Sequence, residues 1–276
     1  MPYPWAVGDV LHAVDLNAAI AAGPVLPAAA GIAGYLFGLT LSNDVGTPNT
    51  LLDVSAGACA DSAGAVNIVL GAFTKSISGA WAAGSGQNGM GAGLTIAATT
   101  WYHVFACINA GVSDMFFDTL ATGAHAPIGT TSFRRIGSFK TDGAAHIVGF
   151  QQFGERFTLA SPSVDYNGVP GVTTGALLTL AGVPTGIVTQ AILGGYVNDA
   201  AAGGAAYLSS PFQPDVAAGL LNATVFETGA GASAYSSFNC TLLTDSSARI
   251  RRRVSTTTMA LVVMTLGYLD QRGRLS

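Results

Sequence analysis

Histidine is the residue type most often used for metal binding and proton transfer, and the sequence has four of them. They are His12, His103, His125 and His146. None stands in an H-x-x-x-H or H-E-x-x-H pattern, the spacing by which one helix presents two imidazoles to zinc. We therefore expect ordinary hydrogen-bonded histidines, no metal site and no cofactor.

The three cysteines, Cys59, Cys107 and Cys240, are an odd number and far apart, with no C-x-x-C pair. Such spacing predicts neither a disulfide framework nor a zinc site. Free cysteine is among the most buried residue types, so we expect three small buried thiols.

Paired carboxylates could act as general acid and base, but the chain has only two glutamates, Glu155 and Glu227. Glycoside cleavage needs two carboxyl groups at a fixed separation. Asp114 and Asp118 flank an aromatic pair, and nothing in the sequence marks any two of these four as partners. There is no G-x-S-x-G nucleophile motif either. The sequence predicts that the protein is not an enzyme.

The segment from Gly84 to Gly89 has the letters G-x-G-x-x-G. A dinucleotide site also requires a strand before this motif and a helix after it. The residues that follow, Met90-Gly91-Ala92-Gly93, cannot open a helix. We therefore expect the tip of a loop here.

Composition narrows the possible classes of protein. Of 276 residues, 9% are charged, 50% are hydrophobic and 36 are glycine, and the mean hydropathy is +0.47. Disordered chains show the reverse balance, coiled coils need charged heptads, and collagen needs glycine at every third position. A Gly-rich β protein, a membrane protein or a subunit covered by its neighbours remains.

Three long uncharged runs, residues 16–43, 76–113 and 166–198, have the length of membrane spans. They are broken by Pro, Gly, Ser, Thr and Asn, whereas a span needs continuous apolar helix formers. We expect no membrane insertion. The N-terminus has no basic and apolar segment typical of a secretory signal, so we expect assembly in a cytoplasm.

Basic residues are concentrated at the end of the chain, where six of eleven follow Ala248, while Lys75 is the only one before Phe133. A nucleic-acid-binding protein would carry a broad basic face, so we expect no nucleic-acid partner. The basic strand Arg249–Val254 could contact phosphate or lipopolysaccharide. We favour pairing with acidic residues of a neighbouring chain.

The hydrophobic pattern predicts one helix, from Asp9 to Ala22, followed by β structure. About fifteen short strands with turn residues every 8–12 positions are typical of sandwiches and barrels. We predict an all-β fold with two β-sandwich, jelly-roll-like domains, at residues 31–160 and 161–276, after a leader at 1–30. The boundary is placed at Ala160-Ser161-Pro162-Ser163.

The predicted strands cover most of the chain after residue 31: Ile32–Leu41, Val66–Phe73, Leu94–Ile96, Trp101–Ile108, Met115–Phe117, Arg134–Ser138, His146–Phe153, Arg156–Leu159, Leu177–Leu180, Gly186–Leu193, Ala206–Leu208, Ala223–Phe226, Phe238–Thr244, Arg249–Val254 and Met259–Tyr268.

Aromatic residues could form a platform on which a sugar ring stacks. For Trp101 and Phe117 the core of a sandwich is the better prediction. Trp81 lies between small residues in the segment Ser78–Gly93, so we expect it near an exposed loop. Loops carry recognition in sandwiches, and Trp81 is our candidate receptor contact.

Two blocks resemble a strand pair of concanavalin- and laminin-G-like jelly rolls: Trp101 to Ile108 (WYHVFACI) and Met115 to Thr119 (MFFDT). The resemblance is local and implies a jelly-roll-like sandwich.

Further blocks resemble tail-fibre-like virion proteins of tailed bacteriophages and prophages. They are Phe133 to Phe139 (FRRIGSF), His146 to Phe157, a leader from Tyr3 to Asn17, and the ending Thr265 to Arg274. Together they cover about a fifth of the chain. The resemblance implies a homotrimer, attached to a tail or capsid by its N-terminal leader, with distal β domains facing the host.

The predicted function is therefore a structural and host-binding fibre or spike subunit of a virion, which binds a surface glycan or outer-membrane component. One alternative is a head fibre or decoration subunit with no receptor role, and another is a polysaccharide-degrading tailspike. The leader residues that we expect to mediate particle attachment are Tyr3, Trp5, Leu11, Leu16 and Asn17.

Overall fold

Short apolar runs separated by Gly, Asn, Asp and Ser fold into strands along the chain. The computed structural model describes residues 32–170, 173–199, 203–227 and 234–274, and these contain nineteen strands and no helix. The all-β prediction is confirmed for these residues. The helix predicted at Asp9 to Ala22 lies outside them.

The first ten strands are β1 (Leu36–Gly38), β2 (Leu41–Asn43), β3 (Leu51–Val54), β4 (Gly57–Ala60), β5 (Asn67–Leu70), β6 (Phe73–Ala80), β7 (Asn88–Met90), β8 (Trp101–Asn109), β9 (Val112–Asp118) and β10 (Thr130–Lys140). The remaining nine are β11 (Phe150–Phe153), β12 (Arg156–Gly168), β13 (Ala176–Thr179), β14 (Gln190–Asn198), β15 (Ala205–Ser209), β16 (Val225–Phe226), β17 (Ser236–Leu243), β18 (Arg249–Val254) and β19 (Ala260–Leu269).

The strands form four sheets, and the order of strands within each departs from chain order. A three-stranded sheet has the order β1-β4-β5, and a seven-stranded sheet has the order β10-β8-β9-β7-β6-β3-β2. A five-stranded sheet follows β11-β12-β19-β14-β17, and a four-stranded sheet follows β13-β18-β15-β16. Neighbouring strands are antiparallel except that β7 runs parallel to β6 and β9.

The hairpin β8–β9 is formed by two strands that the sequence predicts. Asn109 pairs with Val112, which leaves Ala110 and Gly111 as a two-residue loop. Both loop residues have positive φ, 47° and 81°, as a type I′ turn requires. The predicted strands Trp101–Ile108 and Met115–Phe117 are confirmed and pair with each other.

Buried apolar side chains form two main clusters. The first draws on residues 36–157 and also on Tyr268, and the second draws on residues 178–263. Strand β19 contributes to both clusters, since Leu261 and Val263 belong to the second. The last strand therefore packs against both clusters.

The domain boundary placed at residues 160–163 falls inside the 13-residue strand β12, and the division into two domains stays a prediction. Both halves of β12 pair with β19, and pairing is interrupted between Thr158 and Ser163. Pro162 has no N–H to donate, and an irregular stretch of a strand tolerates that loss.

Several strand predictions are also corrected. The run Ile32–Leu41 is divided between β1 and β2, which belong to different sheets. The run Val66–Phe73 is broken at Gly71 and Ala72, so that β5 and β6 belong to different sheets. Leu94–Ile96 forms no strand, although Leu94 and Ile96 pack against the first cluster. An apolar run indicates that its side chains are buried, but a buried segment does not have to pair with a neighbouring strand.

Among the described residues, no helix has the length and apolar character needed to span a membrane.

Candidate functional site

Trp81, the predicted receptor contact, follows β6 directly and is half-buried. Its indole N–H donates to the Met115 carbonyl oxygen at 3.0 Å, and the ring centroid lies 5.1 Å from Lys75 Nζ. The ring also packs against a small cluster that includes Phe105 and Phe116. The indole is therefore held by the fold, and its role as a receptor contact stays a prediction.

The other two aromatic residues singled out from the sequence lie in the core, as predicted. Trp101 and Phe117 both belong to the first cluster. The Trp101 ring meets Tyr268 edge-on, with centroids 5.7 Å apart. These rings are not available as a sugar platform.

The G-x-G-x-x-G segment forms a loop that folds back on the sheet. Gly84 N–H donates to Asp114 Oδ2 at 2.7 Å, and Gly86 N–H donates to the Thr74 carbonyl at 2.8 Å. Strand β7 follows the loop, where a dinucleotide site would need a helix. The loop prediction is confirmed.

Lys75 and Asp114 form a buried pair beside this loop. Lys75 Nζ lies 2.9 Å from Asp114 Oδ1 and donates to the Ala82 carbonyl at 2.5 Å. The sequence showed Lys75 only as an isolated base and Asp114 only as an unpaired carboxylate. Their contact depends on the order of strands in the sheet, so the sequence carried no signal for it.

Arg135 on β10 and Asp270 after β19 form a second buried pair. The two terminal nitrogens of Arg135 donate to the two Asp270 oxygens at 2.7 and 2.5 Å. Burial alone would raise the pKa of Asp270, but the Arg135 charge and its hydrogen bonds hold this pKa below its usual 3.8. Both side chains are nearly inaccessible to solvent.

Arg272 extends the same junction. Its Nε–H donates to the Ile136 carbonyl at 2.8 Å, and Nη2 donates to the carbonyls of Gly38 and Leu39. Burial lowers its pKa to about 10. Tyr268 adds a bond from its hydroxyl to a β10 carbonyl at 3.3 Å. The C-terminal block is thus bonded directly to the β10 block.

A cleft of about 370 Å³ opens over this junction. Arg135 and Asp270 line it together with Thr122 and Gly186. Because Arg135 already donates both terminal nitrogens to Asp270, an anionic ligand would have to displace a buried carboxylate. The arrangement is that of a structural joint.

His103 is buried beside the Arg135–Asp270 pair. Its Nδ1 lies 2.9 Å from the Ser138 hydroxyl. Burial and then the positive charge of Arg135 lower the pKa of His103 from 6.5 to about 4. The imidazole is therefore neutral near pH 7.

His125 and Asp118 form a pair of the kind that orients a catalytic imidazole. His125 Nδ1 lies 2.8 Å from Asp118 Oδ1, and the Asp118 carboxylate also accepts N–H bonds from Leu120 and His125. A nucleophilic triad needs a hydroxyl or thiol on the other imidazole nitrogen. No such bond occurs within the described part of the chain.

Of the four carboxylates considered for glycoside cleavage, the two on β9 do not form a pair with the required separation. Asp114 and Asp118 are four residues apart on β9, about 13 Å along a strand, whereas glycosidase pairs are roughly 5–9.5 Å apart. Glu155 accepts from Arg274 at 3.0 Å. Glu227 is buried.

Two arginines of the basic strand β18 have acidic partners within this chain, and pairing of the strand with a neighbouring chain stays a prediction. Arg249 bonds to Asp245 and Arg253 to Asp215, at 2.8 and 2.9 Å. Arg252 stacks on the Tyr166 ring, with its guanidinium carbon 3.9 Å from the centroid. The sheet places acceptors of the same chain beside β18, which the spacing along the sequence could not indicate.

The sequence predicts three buried thiols. Cys59 and Cys107 are buried, as expected, and Cys240 is half-buried. All three are free, and burial raises the pKa of Cys59 to about 11. Across the four described ranges, no three His, Cys, Asp or Glu side chains are grouped to hold a metal ion.

The residues predicted to attach the protein to a particle lie outside the described residues: Tyr3, Trp5, Leu11, Leu16 and Asn17.

No protein-family model, curated protein or solved structure matches the chain.

Proposed function

We propose that this protein is a structural and host-binding subunit of a phage-like particle, a tail fibre or spike. The observation that carries the proposal is the contact between two blocks that resemble such fibres, at residues 133–157 and 265–274. Arg135 of the first block is paired with Asp270 of the second, and Arg272 donates to Ile136. The two blocks that carry the resemblance therefore form one joined part of the fold.

A homotrimer is the proposed assembly, and the distribution of polar groups supports self-association. The chain has few charged side chains, and several of them are buried in ion pairs, as in the Lys75–Asp114 and Arg135–Asp270 pairs. Large apolar side chains remain on the surface. Burying apolar area is worth about 25 cal/mol per Å², so contact between copies would stabilise the assembly.

One apolar row suits such a contact. Phe37, Ala58 and Val69 stand side by side across β1, β4 and β5. Phe37 is 70% exposed and Val69 is 66% exposed. An outward row without charges on a three-stranded sheet is typical of a surface that a neighbouring subunit covers.

The proposed architecture is two jelly-roll-like sandwiches, at residues 31–160 and 161–276, with the leader at 1–30 bound to a tail or capsid protein. The two separate apolar clusters support two units, and the shared strand β12 joins them. The distal loops would face a glycan or an outer-membrane component of the host. The protein would be found in the virion after assembly in the host cytoplasm.

Purified particles test the proposal. Particles banded on a density gradient are analysed by quantitative mass spectrometry, and the full-length chain is sized by light scattering. We expect the chain to band with particles in a multiple of three copies, and antibody against it to block adsorption to cells. A chain absent from particles contradicts the proposal. A chain present in particles whose antibody leaves adsorption intact indicates a head fibre or decoration subunit.

A further inference from the structure

Lys75 is the only basic residue among residues 1–132, and the fold places it in the interior. Its side chain has no exposed surface, and its partner Asp114 is 4% exposed. Moving an ammonium ion and a carboxylate out of water is costly even when they pair. A lysine at the surface would avoid that cost, so the burial of Lys75 calls for an explanation.

The surroundings of the Lys75 amine exclude water. Nζ lies 5.6 Å from the Phe73 ring centroid and 5.1 Å from the Trp81 centroid. It lies 2.9 Å from Asp114 Oδ1, which places the nitrogen next to the carboxyl carbon Cγ. An amine and a carboxyl group held in contact by the fold are in a geometry suited to reaction.

The Asp114 carboxyl group is held by two backbone donors. Gly84 N–H donates to Oδ2 at 2.7 Å, and Met115 N–H donates to Oδ1 at 2.6 Å. In a tetrahedral adduct Oδ1, beside the amine, takes the proton and leaves, and the Gly84 N–H stabilises the negative charge on Oδ2. The pair therefore has a nucleophile, an electrophilic carbon and a donor for the developing charge.

We propose that Lys75 and Asp114 condense into an isopeptide bond within the folded chain. The ammonium transfers a proton to a carboxylate oxygen, and the nitrogen lone pair attacks Cγ to form the N–Cγ bond. The protonated oxygen takes a second proton from the nitrogen and leaves as water when the Cγ–O bond breaks. One ammonium and one carboxylate become one amide and one water, and no oxidant or cofactor is needed.

Two features favour the amide. Burial lowers the pKa of Lys75 below its usual 10.5, although the Asp114 hydrogen bond and charge oppose the shift, so the neutral amine is more accessible than at the surface. The product has no charge, which removes the desolvation cost of both ions. The released water leaves a site lined by aromatic rings, which disfavours hydrolysis.

The bond would join β6 to β9 across the short strand β7. Strand β7 pairs with β6 and β9 through few residues, so the sheet is weakly connected here. A covalent link would fasten the two longer strands to each other. This inference does not depend on the proposed function.

Intact-mass spectrometry of the full chain tests the proposal directly. We expect a mass lower than the sequence mass by one water molecule. Lys75 and Lys140 are the only lysines, so an amine-reactive label on the denatured chain should modify one lysine side chain, Lys140. Trypsin should fail to cleave after Lys75.

Two matched variants serve as controls. Lys75→Met keeps the length and apolar stem of the side chain, and we expect it to have its full sequence mass. Lys140→Met removes the other lysine and should still lack one water. Lys75→Met should have its full mass whatever its stability, whereas the mass of Lys140→Met is measured on protein shown to be folded by circular dichroism.

A chain of full sequence mass whose Lys75 accepts the label overturns the proposal and leaves an ion pair. A lost water that persists in Lys75→Met also overturns it. Such a loss would come from cyclisation at an aspartate, for example at Asp142-Gly143.

Discussion

Arg135 and Asp270 join through two hydrogen bonds of 2.7 and 2.5 Å although 135 residues separate them in the chain. Asp270 follows β19, which supplies Tyr268 to the first core and Leu261 to the second. The pair therefore fixes the end of a strand that both cores share. Loss of this pair should loosen the end of β19.

Replacing Asp270 with Asn removes the negative charge with little change in volume and leaves the Arg135 charge buried without a counter-ion. Removing one partner of a buried pair typically costs about 3–5 kcal/mol. We expect the free energy of unfolding to fall by about 3 kcal/mol, measured by urea denaturation at pH 7.

Glu155→Gln is the matched control, because Glu155 pairs with Arg274 at the surface, with both side chains 39% exposed. Exposed pairs contribute about 0–1 kcal/mol. Equal losses in the two variants would show that the junction contributes no more than a surface ion pair.

Acidification should weaken the fold through His103. The folded state lowers the pKa of His103 from 6.5 to about 4, so it binds fewer protons than the unfolded chain between these values. The contribution of neutral His103 is complete above pH 6.5 and is lost as the pH falls towards 4. We expect a loss of about 3 kcal/mol across this window in urea denaturation at several pH values.

His103→Gln should flatten that pH dependence, since glutamine does not titrate. His146→Gln is the matched control, because it makes the same substitution at a side chain that is 45% exposed. A His103→Gln variant with the same slope as the unmodified chain would assign the dependence to other groups.

Local pattern was sufficient for some elements and not for others. The two strands of the β8–β9 hairpin could be predicted from their apolar and aromatic runs, but the turn could not, because only Gly111 suits a positive φ and Ala110 does not. The break between β5 and β6 was missed because the run continues apolar through Ala72 to Phe73. The sheet that a strand joins depends on partner strands that are distant in the sequence. The local hydrophobic pattern does not identify those partners.

The candidate site was less predictable than the fold, for the same reason. Lys75 and Asp114 were visible as residues, yet only the order β9-β7-β6 brings them together. Trp81 looked exposed because small residues flank it. Its burial comes from side chains on β8 and β9, which contact it only after the sheet has formed.

The apolar row on β1, β4 and β5 provides a test of self-association. Phe37→Lys places a charge in the proposed contact, and we expect the dissociation constant of the oligomer to rise by about tenfold or more, measured by light scattering over a concentration series. Val45→Lys is the control, because Val45 is 97% exposed and lies outside the strands. If Phe37→Lys leaves the oligomer unchanged, the copies meet through another surface.

Trp81 separates a structural from a receptor role. Trp81→Ala removes a ring that packs on the Phe105–Phe116 pair and an N–H bonded to the Met115 carbonyl. Truncating a buried aromatic side chain costs about 3–5 kcal/mol, and for a half-buried ring we expect about 2 kcal/mol, seen as a lower melting temperature. Trp81→Phe keeps most of the packing and loses only the hydrogen bond, so its free energy of unfolding should fall by about 1 kcal/mol.

Adsorption to cells, counted per folded particle, is measured on the same samples. Unchanged melting together with weaker adsorption would assign the indole to the receptor and contradict the packing role.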